Sequence, residues 1–244
     1  GLAKGQDEFA RRAGERKTKL AQQLYPQFIG VGQPQVYTPT APDFASILLA
    51  DAVLGKKANN NVNGLGNTAN FLYHHAFRSI LDNDKYGPVM KQLLVGWCDA
   101  QSDANGVMTA MNVAMNLNMK EAARYAEKAM EVQNPNVWTK AQALGVLARF
   151  GGKEKLPAIE KHFDDKTQIQ VGGRGQEQLQ LRDAALAMAA LAAGKSPADY
   201  GFTVQNAFVN GQDAVKFNFW LYRFPSDEAR TKAFEKWKTD AAKK

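Results

Sequence analysis

Leu181-Arg182-Asp183-Ala184-Ala185-Leu186-Ala187-Met188-Ala189-Ala190-Leu191 decides the fold class. Ala, Leu and Met are strong helix formers, and no Gly or Pro interrupts the run. Leu181, Ala185, Met188 and Leu191 step by four, three and three residues, which lines them along one face of a helix. The same steps recur at Val137, Ala141, Leu144 and Leu147, and again at Val107, Met111, Ala114 and Leu117. Repetition on this scale predicts stacked helix pairs, an architecture that binds or organises other molecules.

Each of these second helices has a preceding partner. The spacing predicts pairs at 88–100 with 105–118, 120–132 with 136–150, and 155–164 with 177–193. The first helices carry their own stripes: Val89, Leu93 and Trp97; Ala123, Ala126 and Met130; Leu156, Ile159 and Phe163. Asn134-Pro135-Asn136 makes the middle turn, and Gly151-Gly152 ends a helix as a C-terminal glycine does. Extra length in the last repeat falls between Asp165 and Gln176. There Thr167-Gln168-Ile169-Gln170-Val171 alternates like a short strand before Gly172-Gly173-Arg174-Gly175, which reads as an inserted loop or small hairpin.

Upstream, residues 5–24 read as a polar helix with a thin apolar stripe of Phe9, Ala13, Leu20 and Leu24. The Gly- and Pro-rich stretch 27–42 reads as an extended connector. A helix from Asp43 to Leu54 buries Phe44, Ile47, Leu48 and Val53. The Asn-rich segment 59–67 is a loop by composition, and a helix near 68–81 uses Phe71, Leu72, Ala76, Phe77 and Ile80. Downstream, Val215–Phe224 packs five aromatics into ten residues. A repeat array needs its terminal apolar face covered, so this strap is expected to close the core behind Leu191, with Trp237. Its rival role is a partner-binding patch. The last helix starts after Ser226, a good N-cap, and docks through Ala229, Ala233, Phe234 and Trp237. The expected fold is all-α, a short α-solenoid, divided as 1–42 (basic helix and connector), 43–194 (repeat body, with repeats at 86–118, 120–152 and 155–194) and 195–244 (capping segment and helix).

The chain of 244 residues is 45% apolar and 23% charged, ordinary values for a globular protein. No run approaches the ~20 apolar residues that span a bilayer. The chain opens at Gly1 with neither an initiator Met nor an apolar signal core, which leaves a removed leader open. The net charge of +7 is uneven: residues 1–24 carry +3, residues 230–244 carry +4, and the 205 between them balance at 19 basic to 19 acidic. A uniform nucleic-acid surface does not follow from a neutral body, whereas the basic ends suit an acidic partner or surface. The second helices offer only Lys140, Arg149 and Arg182 for phosphate contacts.

Leu156-Pro157-Ala158-Ile159 through Asp164-Asp165, followed by Leu181-Arg182-Asp183, resembles a HEAT repeat: a Pro in the first helix, an Asp closing it and a hydrophobic–Arg pair opening the second. The match is strongest over 155–194. In the earlier repeats Trp138 and Met108 stand where that Arg would be. The run Leu181–Ala187, then Asp199-Tyr200-Gly201-Phe202, then Phe224–Glu228 to Lys236-Trp237-Lys238, resembles uncharacterised HEAT-repeat proteins of planctomycete-type bacteria. Those proteins are often exported, so the resemblance implies the α-solenoid fold and an extracytoplasmic (periplasmic or secreted) location, with a cytoplasmic one as the alternative.

Chemistry-bearing motifs are few. His74 and His75 are adjacent and point about 100° apart on a helix, unlike zinc-binding pairs. His162 has no acidic or sulfur partner at ligand spacing. Cys98, among Leu94, Val95 and Trp97, reads as a buried inert thiol. Gly172–Gly175 lacks the Lys-Ser/Thr of a phosphate loop. The pairs Asp164-Asp165 and Asp227-Glu228 read as helix-end residues. The expectation is therefore a scaffold or adaptor without catalytic, cofactor or metal residues, which binds protein partners through Trp138, Arg174, Trp220 and Tyr222. The alternative is a nucleic-acid-binding solenoid.

Overall fold

Helices are what the periodicity demands and what the chain builds. The computed structural model describes residues 8, 11–12, 14–17, 19–20, 38–54, 68–170, 179–204 and 215–242. The 59–67 loop, most of the 27–42 connector and Gly172–Gly175 with Arg174 lie outside the described residues, as does the Val53 side chain. The chain is mostly helical, and it divides into two compact units, Gly1–Leu117 and Asn118–Lys244.

In the first unit, helical residues between 8 and 20 precede α1 (Ala41–Leu54), α2 (Thr68–Leu72), α3 (His75–Leu81), α4 (Gly87–Ala100) and α5 (Ala104–Asn116). α4 packs against α1, α3 and α5. Phe44, Leu48, Phe71, Phe77, Leu94, Trp97 and Met111 fill the core. Two expectations shift here. The helix expected over 68–81 breaks at Tyr73-His74, where His74 turns extended and caps α3. The buried stripe of α4 is Met90, Leu94, Trp97 and Cys98, while Val89 is 58% exposed. Gly87 explains the rotation: a Cβ there would meet the Leu81 carbonyl oxygen at 2.4 Å. The end of α3 thus lies against that face of α4, and Met90, Leu94 and Trp97 share it.

The second unit runs α6 (Ala122–Glu131), α7 (Val137–Gly151), a 3-10 turn (Gly152–Lys155), α8 (Leu156–Glu160), β1 (Gln168–Ile169), β2 (Leu179–Gln180), α9 (Leu181–Ala192), β3 (Thr203–Val204), β4 (Tyr222–Arg223) and α10 (Asp227–Ala241). Asn136 caps α7 by accepting the Thr139 N–H at 2.7 Å, and Gly152 leaves the helix at φ +54°. α9 starts later than the expected 177 because Gln168 and Ile169 pair with Gln180 and Leu179 in an antiparallel ribbon. The Gln180 N–H then bonds the Asp183 carboxylate at 2.9 Å, closing the first turn.

Met111, Ala141, Leu144, Ala185 and Met188 from the recurring stripe are all fully buried. α9 goes further, since Leu181 and every residue from Asp183 to Ala190 are buried. A helix apolar on all sides must be enclosed on all sides. α7, α8, the turn Pro197–Tyr200 and the aromatic strap supply that enclosure, Arg230 of α10 reaches Asp183, and the five alanines of this stretch let neighbours approach closely.

The strap packs against α7 and α9, with Phe219, Tyr222 and Phe224 buried. Its first 3-10 turn (Val215–Phe217) sits on α7, its second (Phe219–Leu221) touches α7 and α9, and β4 rests on α9. Gly145 admits it: a Cβ at that position would meet the Phe217 carbonyl oxygen at 2.4 Å. Gly145→Ala should accordingly destabilise the protein by roughly 1–3 kcal/mol from overpacking, although Ala is the better helix former by ~1 kcal/mol. Chemical denaturation of the variant checks this, and a net gain in stability would remove the close approach.

Candidate partner-binding site

Asn136 fixes the start of α7, and two residues later Trp138 projects outward, 41% exposed, from a helix whose next turns are buried. Phe219 and Trp220 reach the same place through the strap. Phe219 is buried, and its ring meets both indoles edge-on, Trp138 at 5.0 Å (76°) and Trp220 at 5.2 Å (83°). The indoles of Trp138 and Trp220 lie stacked, with centroids 6.0 Å apart and planes 10° from parallel. Trp220 is 36% exposed. Offset aromatic contacts of this kind contribute about 0.5–1.5 kcal/mol each beyond area burial, so Phe219 holds the two outer rings in a fixed plane.

Two of the four residues read from sequence thus come together. Tyr222 does not join them: it is buried, and its hydroxyl donates to the Lys216 carbonyl oxygen at 2.6 Å. Burial pushes its ionisation above the ordinary tyrosine range. The core draws the ring inward, where Phe202 packs edge-on at 6.0 Å. Phe219, which the partner-contact reading passed over, is the wedge that organises the patch. An aromatic-rich strap signalled its importance without saying which rings face outward.

The second-helix cations are all engaged within the unit. Lys140 lies 3.9 Å from Asp165. Arg149 donates to Asn118 at 2.9 Å and lies over Phe150. Arg182 donates to Gln180 at 2.6 Å. Lys140 thereby supplies the cation facing Asp165 although Trp138 stands at the expected Arg position. Burial disfavours the Asp165 carboxylate, but hydrogen bonds from Thr167 and the charge of Lys140 hold its pKa below the usual value.

Of the other chemistry-bearing residues, Cys98 and His162 are buried or half-buried, and Asp227 and Glu228 are ion-paired. Cys98 is 1% exposed. His162 is half-buried, and burial with the neighbouring Lys140 pushes its pKa down. Asp227 pairs with Arg230, and Glu228 with Lys232 at 2.7 Å. Among the described residues no cluster of three metal-ligating side chains occurs, and no helix is long and apolar enough to cross a membrane. The chain matches no protein-family model, no curated protein and no solved structure.

Proposed function

We propose that this chain is a non-catalytic helical-repeat scaffold or adaptor, built as a short HEAT-like α-solenoid, that binds a protein partner through the Trp138–Trp220 surface. In this reading it is one subunit of a larger extracytoplasmic or envelope assembly. One observation carries the proposal: two tryptophans far apart in sequence are held parallel and exposed by a buried Phe219. Large apolar rings left in water cost free energy unless something covers them, and Trp is enriched at the centres of interfaces. The engagement of Lys140, Arg149 and Arg182 within the unit counts against nucleic acid as the partner.

The test uses paired baits of the full chain, wild type and W138A/W220A, in affinity capture from the native source. The expected result is a protein retained by the wild type and lost by the double variant, with an unchanged helical circular-dichroism signal. Equal retention by both baits would remove this surface from the interface.

A further inference from the structure

The corner between α2 and α3 carries chemistry that the partner surface does not use. The chain leaves α2 at Leu72, and the His74 N–H bonds the Phe71 carbonyl oxygen at 3.2 Å. His74 then turns extended (φ −65°, ψ 138°), and its Nδ1 accepts the Ala76 N–H at 3.2 Å. A ring nitrogen that accepts from a backbone N–H is unprotonated, so the proton of neutral His74 is on Nε2. The His74 ring also lies against that of His75, with centroids 4.2 Å apart. N-caps are ordinarily Ser, Thr, Asp or Asn, none of which loses its acceptor near neutral pH. A histidine in that role does.

We propose that the His74–His75 corner is an acid-sensitive joint: a solvent proton added to His74 Nδ1 turns the acceptor into a donor facing the Ala76 N–H, removes the cap of α3 and loosens its join to α2. The new charge also sits at the positive end of a helix, beside a second imidazole.

The surroundings favour the neutral ring. Burial, and then the charge of His75, push the His74 pKa below the ordinary histidine value. α1, α2 and α4 pack against α3, and the charge of His75 acts on His74. Arg78, one turn further on, donates to the Asn116 carbonyl oxygen at 3.0 Å. A folded-state pKa lowered for a histidine means the unfolded chain binds more protons in between. Stability is therefore full above the unfolded value and is lost as pH falls below it.

The experiment follows the imidazole resonances and the α3 amide exchange of the full chain by NMR across about pH 5 to 8, the range in which histidine titrates. His74 should titrate below 6.5, and protection of the Ala76 and Phe77 amides should fall by roughly five- to tenfold on acidification, the scale of a lost cap. His74→Asn keeps an acceptor that does not titrate and should abolish the acid response. Titration of wild-type His74 at or above 6.5, unchanged amide protection, or an equal acid response in H74N would each overturn the joint.

Discussion

Arg230→Ala is expected to lose about 3–5 kcal/mol of folding stability, the scale seen when one member of a buried ion pair is removed. Arg230 lies on α10, is 8% exposed, and grips the carboxylate of Asp183 on α9 with Nε at 2.8 Å and Nη2 at 3.1 Å. Asp183 itself is 1% exposed. Truncating the arginine leaves that carboxylate charged, buried and deprived of its main counter-ion. Burial already raises the pKa of Asp183 above the usual carboxylate range, with Arg230 opposing the rise. Without the arginine the rise is larger, so the folded variant binds a proton more readily than the unfolded chain. The sign is definite: R230A should recover stability relative to wild type as pH falls from neutral through the raised pKa. The paired variant D183N/R230M should cost less than R230A alone, because no unpaired charge stays buried. Denaturation of the three variants at two pH values checks all of this. A pH-independent cost of under about 1 kcal/mol, the scale of an exposed pair, would show the ion pair to be incidental.

Ala185→Asp is the second large effect. Ala185 has no exposed surface and sits mid-way along α9, whose flanking residues are also buried. A carboxylate there finds no partner, and even its neutral form overfills a site shaped for one methyl group. The expected cost is several kcal/mol, in the range that unfolds a marginal domain. Circular dichroism should show a second unit with much reduced melting temperature. A variant melting within a few degrees of wild type would place Ala185 outside the core.

Periodicity reads some elements of this fold and is blind to others. The stripes of α7 and α9 were legible because apolar residues at steps of three and four share a face whatever packs on it. Ser226 was legible as a cap for the same local reason, and it accepts the Ala229 N–H at 3.1 Å. α4 was misread by one residue, because the close approach at Gly87 sets its rotation and lies in tertiary space. The break at His74 carried no signal, since histidine is not a usual cap. Arg230 counted as part of a basic tail, yet its partner Asp183 lies 47 residues away and makes it a core residue. The patch obeyed the same limit: aromatic content marked the strap, but only the fold pairs Trp220 with Trp138 and turns Tyr222 inward.

The partner-binding claim is met most directly by a binding isotherm of the captured partner with the wild-type chain and with W138A/W220A. A hot-spot aromatic is worth about 2 kcal/mol or more, so loss of a single such contribution already weakens binding about 30-fold, and the double variant should lose at least that while its unfolding midpoint stays close to that of the wild type. Affinities within about twofold of one another, with both chains folded, would contradict the assignment of this surface.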